Sequence, residues 1–269
     1  MKTSKAMLKN PLDEPNVYLK VDYAVSALKP LNLMFFSCFK VPNKPQRDVE
    51  VLMASKLPPK KGLSYLAGKV RLIHDLASIE LQAMELGLRT LIEFSKDRST
   101  PRLFLEELAN VTYEEAQHLA LCLETLKAYG AKWGDCPVHL GLWNVSSAND
   151  TLIERLLKVH RYLEGSGLDA SFSLLHRVKG LKDSKPLVKL ISRIAHDELS
   201  HVQFGSRWFS KFCEREGLSG ISECKRILTE ERHCLPRRRE KINEELRLRA
   251  GFTKEEILVF SEEQNAKVF

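Results

Sequence analysis

Glu115-Ala116-Gln117-His118 and Glu198-Leu199-Ser200-His201 are two copies of one pattern, and a lone glutamate precedes each at nearly the same distance. Glu80 stands 35 residues before Glu115, and Glu164 stands 34 before Glu198. On an α-helix, residues i and i+3 lie about 60° apart around the axis, so each Glu-x-x-His pair points one way. The separation fits a helix, a short turn and the matching depth of an antiparallel partner, with legs of about 15 residues spanning roughly 22 Å. Four carboxylates and two imidazoles drawn from four helices make a dinuclear metal site in an all-α four-helix bundle. The expected ligands are Glu80, Glu115, His118, Glu164, Glu198 and His201. Oxygen ligands with one imidazole per metal favour iron or manganese over the thiolate-rich sites of structural zinc.

A single Glu-x-x-His carries little weight in a chain this rich in glutamate. A third copy, Glu230-Glu231-Arg232-His233, lies just before Pro236 in a charged stretch with no matching lone glutamate. It reads as coincidence on a solvated face. The other two copies sit in apolar helical surroundings. Leu72, Leu76, Ile79, Ala83, Leu86 and Thr90 recur at three- and four-residue steps, predicting a helix over 63–94 around Glu80. Burying Glu80 there is costly unless a cation or hydrogen bonds compensate. Thr100-Pro101 restarts the chain, and a second leg over 103–129 carries Glu115 and His118, with Gly130 as a stop.

Glu164 stands 46 residues after His118, and the chain between them changes texture at Trp133-Gly134-Asp135-Cys136-Pro137-Val138-His139-Leu140-Gly141-Leu142-Trp143. Gly, Pro and Asp break helix there, and the length suits a long crossover between two helix pairs. Asn149-Asp150 opens the third leg. Gly165 and Gly167 follow Glu164 at once and could end, kink or thin that helix. Residues 168–180 read as a further helical piece. Lys185-Pro186 starts the fourth leg, which ends near Cys213.

These stretches resemble domain-of-unknown-function family 455 of the ferritin-like superfamily. The resemblance rests on Ile79-Glu80-Leu81-Gln82-Ala83, Glu115-Ala116-Gln117-His118, the crossover from Gly134 to Trp143, Leu163-Glu164-Gly165-Ser166-Gly167-Leu168-Asp169, Asp197-Glu198-Leu199-Ser200-His201 and Gly205-Ser206-Arg207-Trp208-Phe209. It implies a ferritin-like bundle and metal ligands at the six positions already named, all present. Ser78 stands where similar sequences carry a His; two residues from Glu80, it lies about 160° around the helix, away from the ligand face. Similar di-iron bundles use the acid before each ligand Glu to hold the opposite histidine, which singles out Asp197 and Glu114 as outer partners. His160, four residues before Glu164, is either a further partner of the site or a satisfied half-buried residue. Asp135, His139 and Trp143 shape either a substrate mouth or a loop, and Tyr113 and Tyr162, each two residues from a ligand, read as packing residues.

The expected domains are an extended, Pro-punctuated segment over 1–62, the di-metal bundle over 63–215 and a charged helical extension over 216–269. The apolar run 28–39 is too short for a membrane span and too far inside for a usual signal peptide. Six dispersed Cys with no Cys-x-x-Cys read as reduced, mostly buried thiols of a cytoplasmic protein. Net charge is +7, partly from Pro236-Arg237-Arg238-Arg239. The glutamates that follow favour a solvated terminal helix over a nucleic-acid arm, although the basic charge permits binding of RNA such as tRNA.

The functional expectation is an oxygen-dependent oxidoreductase, of hydroxylase or monooxygenase type, using two Fe ions or a Mn/Fe pair on an unidentified substrate. No Gly-x-Gly-x-x-Gly fingerprint is present, so electrons would come from a separate donor protein. The alternative is a metal-binding protein that acts as a ferroxidase or peroxide scavenger without an organic substrate. A third class is a structural protein with a vestigial site.

Overall fold

The computed structural model describes residues 9–237 and 240–265. Arg238 and Arg239 of the arginine run lie outside the described residues. Helices account for all regular structure among the described residues; the one β contact is an isolated bridge between Val51 and Val138. No helix among them is long and apolar enough to cross a membrane. All six cysteines are free thiols, and Cys122, Cys213 and Cys224 are buried. The chain divides into two compact units, residues 1–143 and 144–269.

In the first unit the short helices α1 (Val17–Leu28) and α2 (Leu33–Ser37) precede two long ones, α3 (Leu66–Phe94) and α4 (Arg102–Ala128). Asn16 starts α1 by accepting the amides of Tyr18 and Leu19, each at 3.1 Å, which satisfies donors that the helix cannot use itself. Gly130 ends α4 with φ of 70°. The amide of Ala131 bonds the Leu126 carbonyl and that of Gly130 the Lys127 carbonyl, each at 3.0 Å. This is a Schellman closure, which needs a left-handed residue at that position. The helices α3 and α4 pack along each other and touch closely at Gly87, where any Cβ would collide with the Thr112 side chain.

The segment before α3 is tied down by ions, not merely draped. Lys20 on α1 reaches the fully buried Glu85 of α3 at 2.6 Å, and Arg47 grips the same carboxylate through both guanidinium nitrogens. Lys20 also donates to the Gln46 carbonyl at 2.8 Å. The crossover folds back onto α3 in similar fashion. Gln82 Oε1 accepts the amides of Leu142 and Trp143 at 3.1 and 3.2 Å. Trp133 stacks on His74 and donates to Asp48 at 2.7 Å.

In the second unit α5 (Leu152–Leu156) runs through a π-helical turn (Leu157–Leu163) into α6 (Glu164–Val178). A capping box of Thr151 and Glu154 starts it. Asp150 is not a helical residue here; it binds Arg155 and Lys158 at 3.1 and 2.7 Å. Helix α6 continues unbroken past both glycines, so residues 168–178 belong to the same helix as Glu164. It packs on α7 (Lys185–Arg215), and α8 (Gly220–Glu230), α9 (Glu244–Arg249) and α10 (Lys254–Asn265) complete the unit.

The terminal helices correct one expectation. Glu244, Glu245 and Arg249 are solvated, but Arg247 is 1% exposed and Glu256 is 7% exposed. Each finds an opposite charge inside the unit: Arg247 holds Asp169, and Glu256 holds Arg161. A mixed-sign sequence therefore served buried pairing as well as a wet surface.

Candidate metal centre

Helices α3 and α4 bring Glu80, Glu115 and His118 together in the first unit. All three are 2% exposed or less. Each can present a ligand atom within 4.8 Å of the others'. His118 Nδ1 lies 3.4 Å from Glu80 Oε2 and 3.6 Å from Glu115 Oε2. Burial pushes the Glu80 carboxyl up to about 7, with the Glu115 charge adding to the rise and His118 opposing it. Burial disfavours a charged His118, but the two carboxylates overcome it and lift the imidazole to about 11. The Cys122 thiol is driven well above its ordinary value by burial, then by the charges of Glu80 and Glu115. Without a cation, this pocket therefore holds protons.

In the second unit Glu164 is 8% exposed, Glu198 is 7% exposed and His201 is fully buried. Glu198 and His201 share the inner face of α7, one turn apart. His160, in the π-helical turn, sits 2.7 Å from Glu164 Oε1 through Nδ1. The ring meets Phe204 edge-on at 5.1 Å, and its Cβ presses on Gly205, where a side chain would collide. His160 is thus a direct partner of a candidate ligand. The amide of Glu164 bonds the Val159 carbonyl five residues back, the register of a π-turn. Such turns recur where a helix must present a functional group.

The remaining sequence candidates fall as follows. Asp197 accepts from Arg193 Nε and lies 2.8 Å from His196 Nδ1. Glu114 is half-buried beside Glu115. Glu230 and His233 are exposed, and His233 Nδ1 faces the Glu230 carbonyl at 3.2 Å. Asp135 accepts the Lys132 amide and His139 the Gly141 amide, so both build the loop. Trp143 is buried under Arg89, with its indole donating to the Asn43 carbonyl. Tyr162 donates to the Pro236 carbonyl at 2.8 Å, and Tyr113 lies beneath the Lys29 ammonium. The sequence alone assigns Gly205 no role, although it opens the stretch Gly205-Ser206-Arg207-Trp208-Phe209. A glycine inside an otherwise strong helix is the signal of close approach that could have found it.

These residues fit a divalent metal. Glu164 Oε2 is buried without a hydrogen bond, and Glu80 Oε2 has the His118 ring nitrogen near it at a long 3.4 Å. A buried carboxylate oxygen without a donor is costly unless a cation or proton satisfies it. Oxygen with imidazole is also a donor set suited to iron and manganese.

The family described as "Protein of unknown function (DUF455)" matches residues 17–258. An uncharacterized protein of Haemophilus influenzae is 30% identical over 234 residues, which cover 85% of this chain and 78% of that protein. No solved structure matches. With nearly the whole helical chain aligned, motifs included, the protein belongs to the DUF455 family.

Proposed function

We propose that this chain binds two divalent metal ions, one for each Glu…Glu-x-x-His set, and is an oxygen-dependent oxidoreductase of ferritin-like architecture. Glu80, Glu115 and His118 would hold one ion, and Glu164, Glu198 and His201 the other. The observation that carries the reading is the repetition within each unit of a buried lone glutamate and a buried Glu-x-x-His pair on two packed helices. Reduced iron, or iron with manganese, would supply the electrons for reducing dioxygen and oxidising an organic substrate.

The protein's own part is to hold charge and geometry. Four carboxylates match the charge of two divalent ions, and two neutral imidazoles complete the ligand set. His160 fixes Glu164 Oε1 and leaves Oε2 for a cation. Further electrons for turnover would come from a separate reductant.

The test loads the metal-free protein with ferrous iron in the absence of oxygen, then follows oxygen uptake after oxygen and a reductant are added. Catalytic uptake in the wild type, and its loss in Glu115→Gln and Glu198→Gln, support the reading. Iron oxidation that stops after one turnover despite reductant would favour a ferroxidase. A loaded protein inert to oxygen would refute an oxidase.

A further inference from the structure

Gly165, next to Glu164, is not where α6 ends but where a side chain from α9 enters. A Cβ at residue 165 would occupy the space of the Arg247 guanidinium. Arg247 Nη1 donates to the Arg161 carbonyl at 2.9 Å, inside the π-helical turn. Its Nη2 and Nε bond Asp169, one turn beyond Glu164, at 2.7 and 3.2 Å. One guanidinium therefore grips the chain on both sides of Glu164. Asp169 also accepts the Asn243 amide at 3.0 Å, and the Asn243 side chain caps α9 at the Leu246 amide. Arg247 is thereby set in place before it meets the turn.

We propose that Arg247 is a positioning residue for Glu164: anchored on Asp169 and admitted by Gly165, it holds the π-helical turn that aims His160 and Glu164. The proposal rests on the metal reading for what Glu164 is aimed at. A π-turn departs from the α-helical register, so it persists only where its surroundings favour it. Here the favouring group is a planar fork that satisfies a turn carbonyl and a carboxylate at once. A lysine at 247 has one nitrogen in place of the fixed fork, so it loses the paired Nε and Nη2 hold on Asp169 that sets the guanidinium against the Arg161 carbonyl. An alanine at 165 would force the guanidinium back and break its bond to the Arg161 carbonyl while leaving the charge in the unit.

Two readouts test this on the full chain, with Arg247→Lys, Gly165→Ala and, as control, Lys20→Met, which breaks a buried ion pair of the first unit. Hydrogen exchange of the metal-free proteins over 157–168 should quicken in the first two variants and stay at the wild-type rate in the control. Titration with cobalt(II) alone, followed by its visible absorption, should show two ions in the wild type and the control. In Arg247→Lys and Gly165→Ala one of the two should bind about tenfold or more weaker, with an altered spectrum, as when a ligand's hydrogen-bonded support is lost. Gly165→Ala keeps the arginine, so it decides the matter where Arg247→Lys does not fold. Wild-type exchange in these two variants overturns the proposal, as does cobalt binding with unaltered affinity and spectrum. A wild type that takes up no cobalt defeats the metal reading alone, and the exchange rates still decide whether Arg247 holds the turn.

Discussion

Glu85→Gln should be far more damaging than its modest chemistry suggests. The carboxylate is fully buried and faces two buried cations, Lys20 and Arg47. The substitution leaves both cations desolvated and adjacent without their counter-charge. Removing one member of a buried pair costs about 3–5 kcal/mol, and the amide oxygen retains a hydrogen bond that returns about 1 kcal/mol. The net loss is about 2–4 kcal/mol, which lowers the melting temperature by roughly 8 °C in a chain of this size. Glu106→Gln, which loses an exposed pair with Arg102, should cost less than about 0.5 kcal/mol. The pH dependence is specific as well. Burial holds the Lys20 amine below its ordinary value, with Glu85 resisting. A depressed folded-state value means that the unfolded chain binds more protons over the window up to the ordinary lysine value, so stability rises with pH there. Losing Glu85 depresses Lys20 further and widens that window, so the deficit of the variant should shrink between pH 7 and 10. The assay is urea unfolding in a Trp208→Phe background, where fluorescence reports Trp133 and Trp143 of the first unit. A loss below about 1 kcal/mol, or a deficit that grows with pH, would refute the reasoning.

Gly205→Ala gains up to about 1 kcal/mol of helix propensity but forces a methyl onto His160, a repacking that costs about 1–3 kcal/mol; a melting temperature above the wild type's would contradict the close approach. Burial raises the Glu256 carboxyl but the Arg161 fork outweighs it, leaving the group below its ordinary value. Its stabilisation is therefore complete above the unfolded carboxylate range and is lost as pH falls through the folded value. The gap in unfolding free energy between wild type and Glu256→Gln should accordingly be full at pH 7 and close below about pH 4, and a gap that persists in acid would argue against the pair. The protons held by Glu80 and His118 must leave when a metal enters. Metal uptake in weak buffer at pH 6.5 should release protons and tighten as pH rises to 8; uptake with neither effect would contradict this.

The long helices and the burial of each Glu-x-x-His pair were legible in the sequence because both depend on short-range spacing. Apolar periodicity gave α3, α4 and α7 within a few residues, and i, i+3 spacing placed each Glu and His on one inner face. What escaped was pairing at a distance. Lys20 meets Glu85 across 65 positions, Arg247 meets Asp169 across 78 and Arg161 meets Glu256 across 95. Nothing local tells a buried lysine or arginine from a solvated one, so from sequence the amino-terminal segment reads as an extended wrap with short elements and α9 as a solvated helix. The π-turn was equally hidden. It differs from an α-helix by one residue of register, and the groups that favour it come from α9 and α10.

Metal content tests the central claim most directly. The metal-free chain should be titrated with ferrous iron under strictly reducing conditions, in parallel with Glu115→Ala and Glu164→Ala. The account predicts about two tightly held ions in the wild type and loss of one or both in each variant. A wild-type chain that folds with the same helix content and retains no iron or manganese would contradict it, leaving two buried glutamate–histidine clusters that bind no metal.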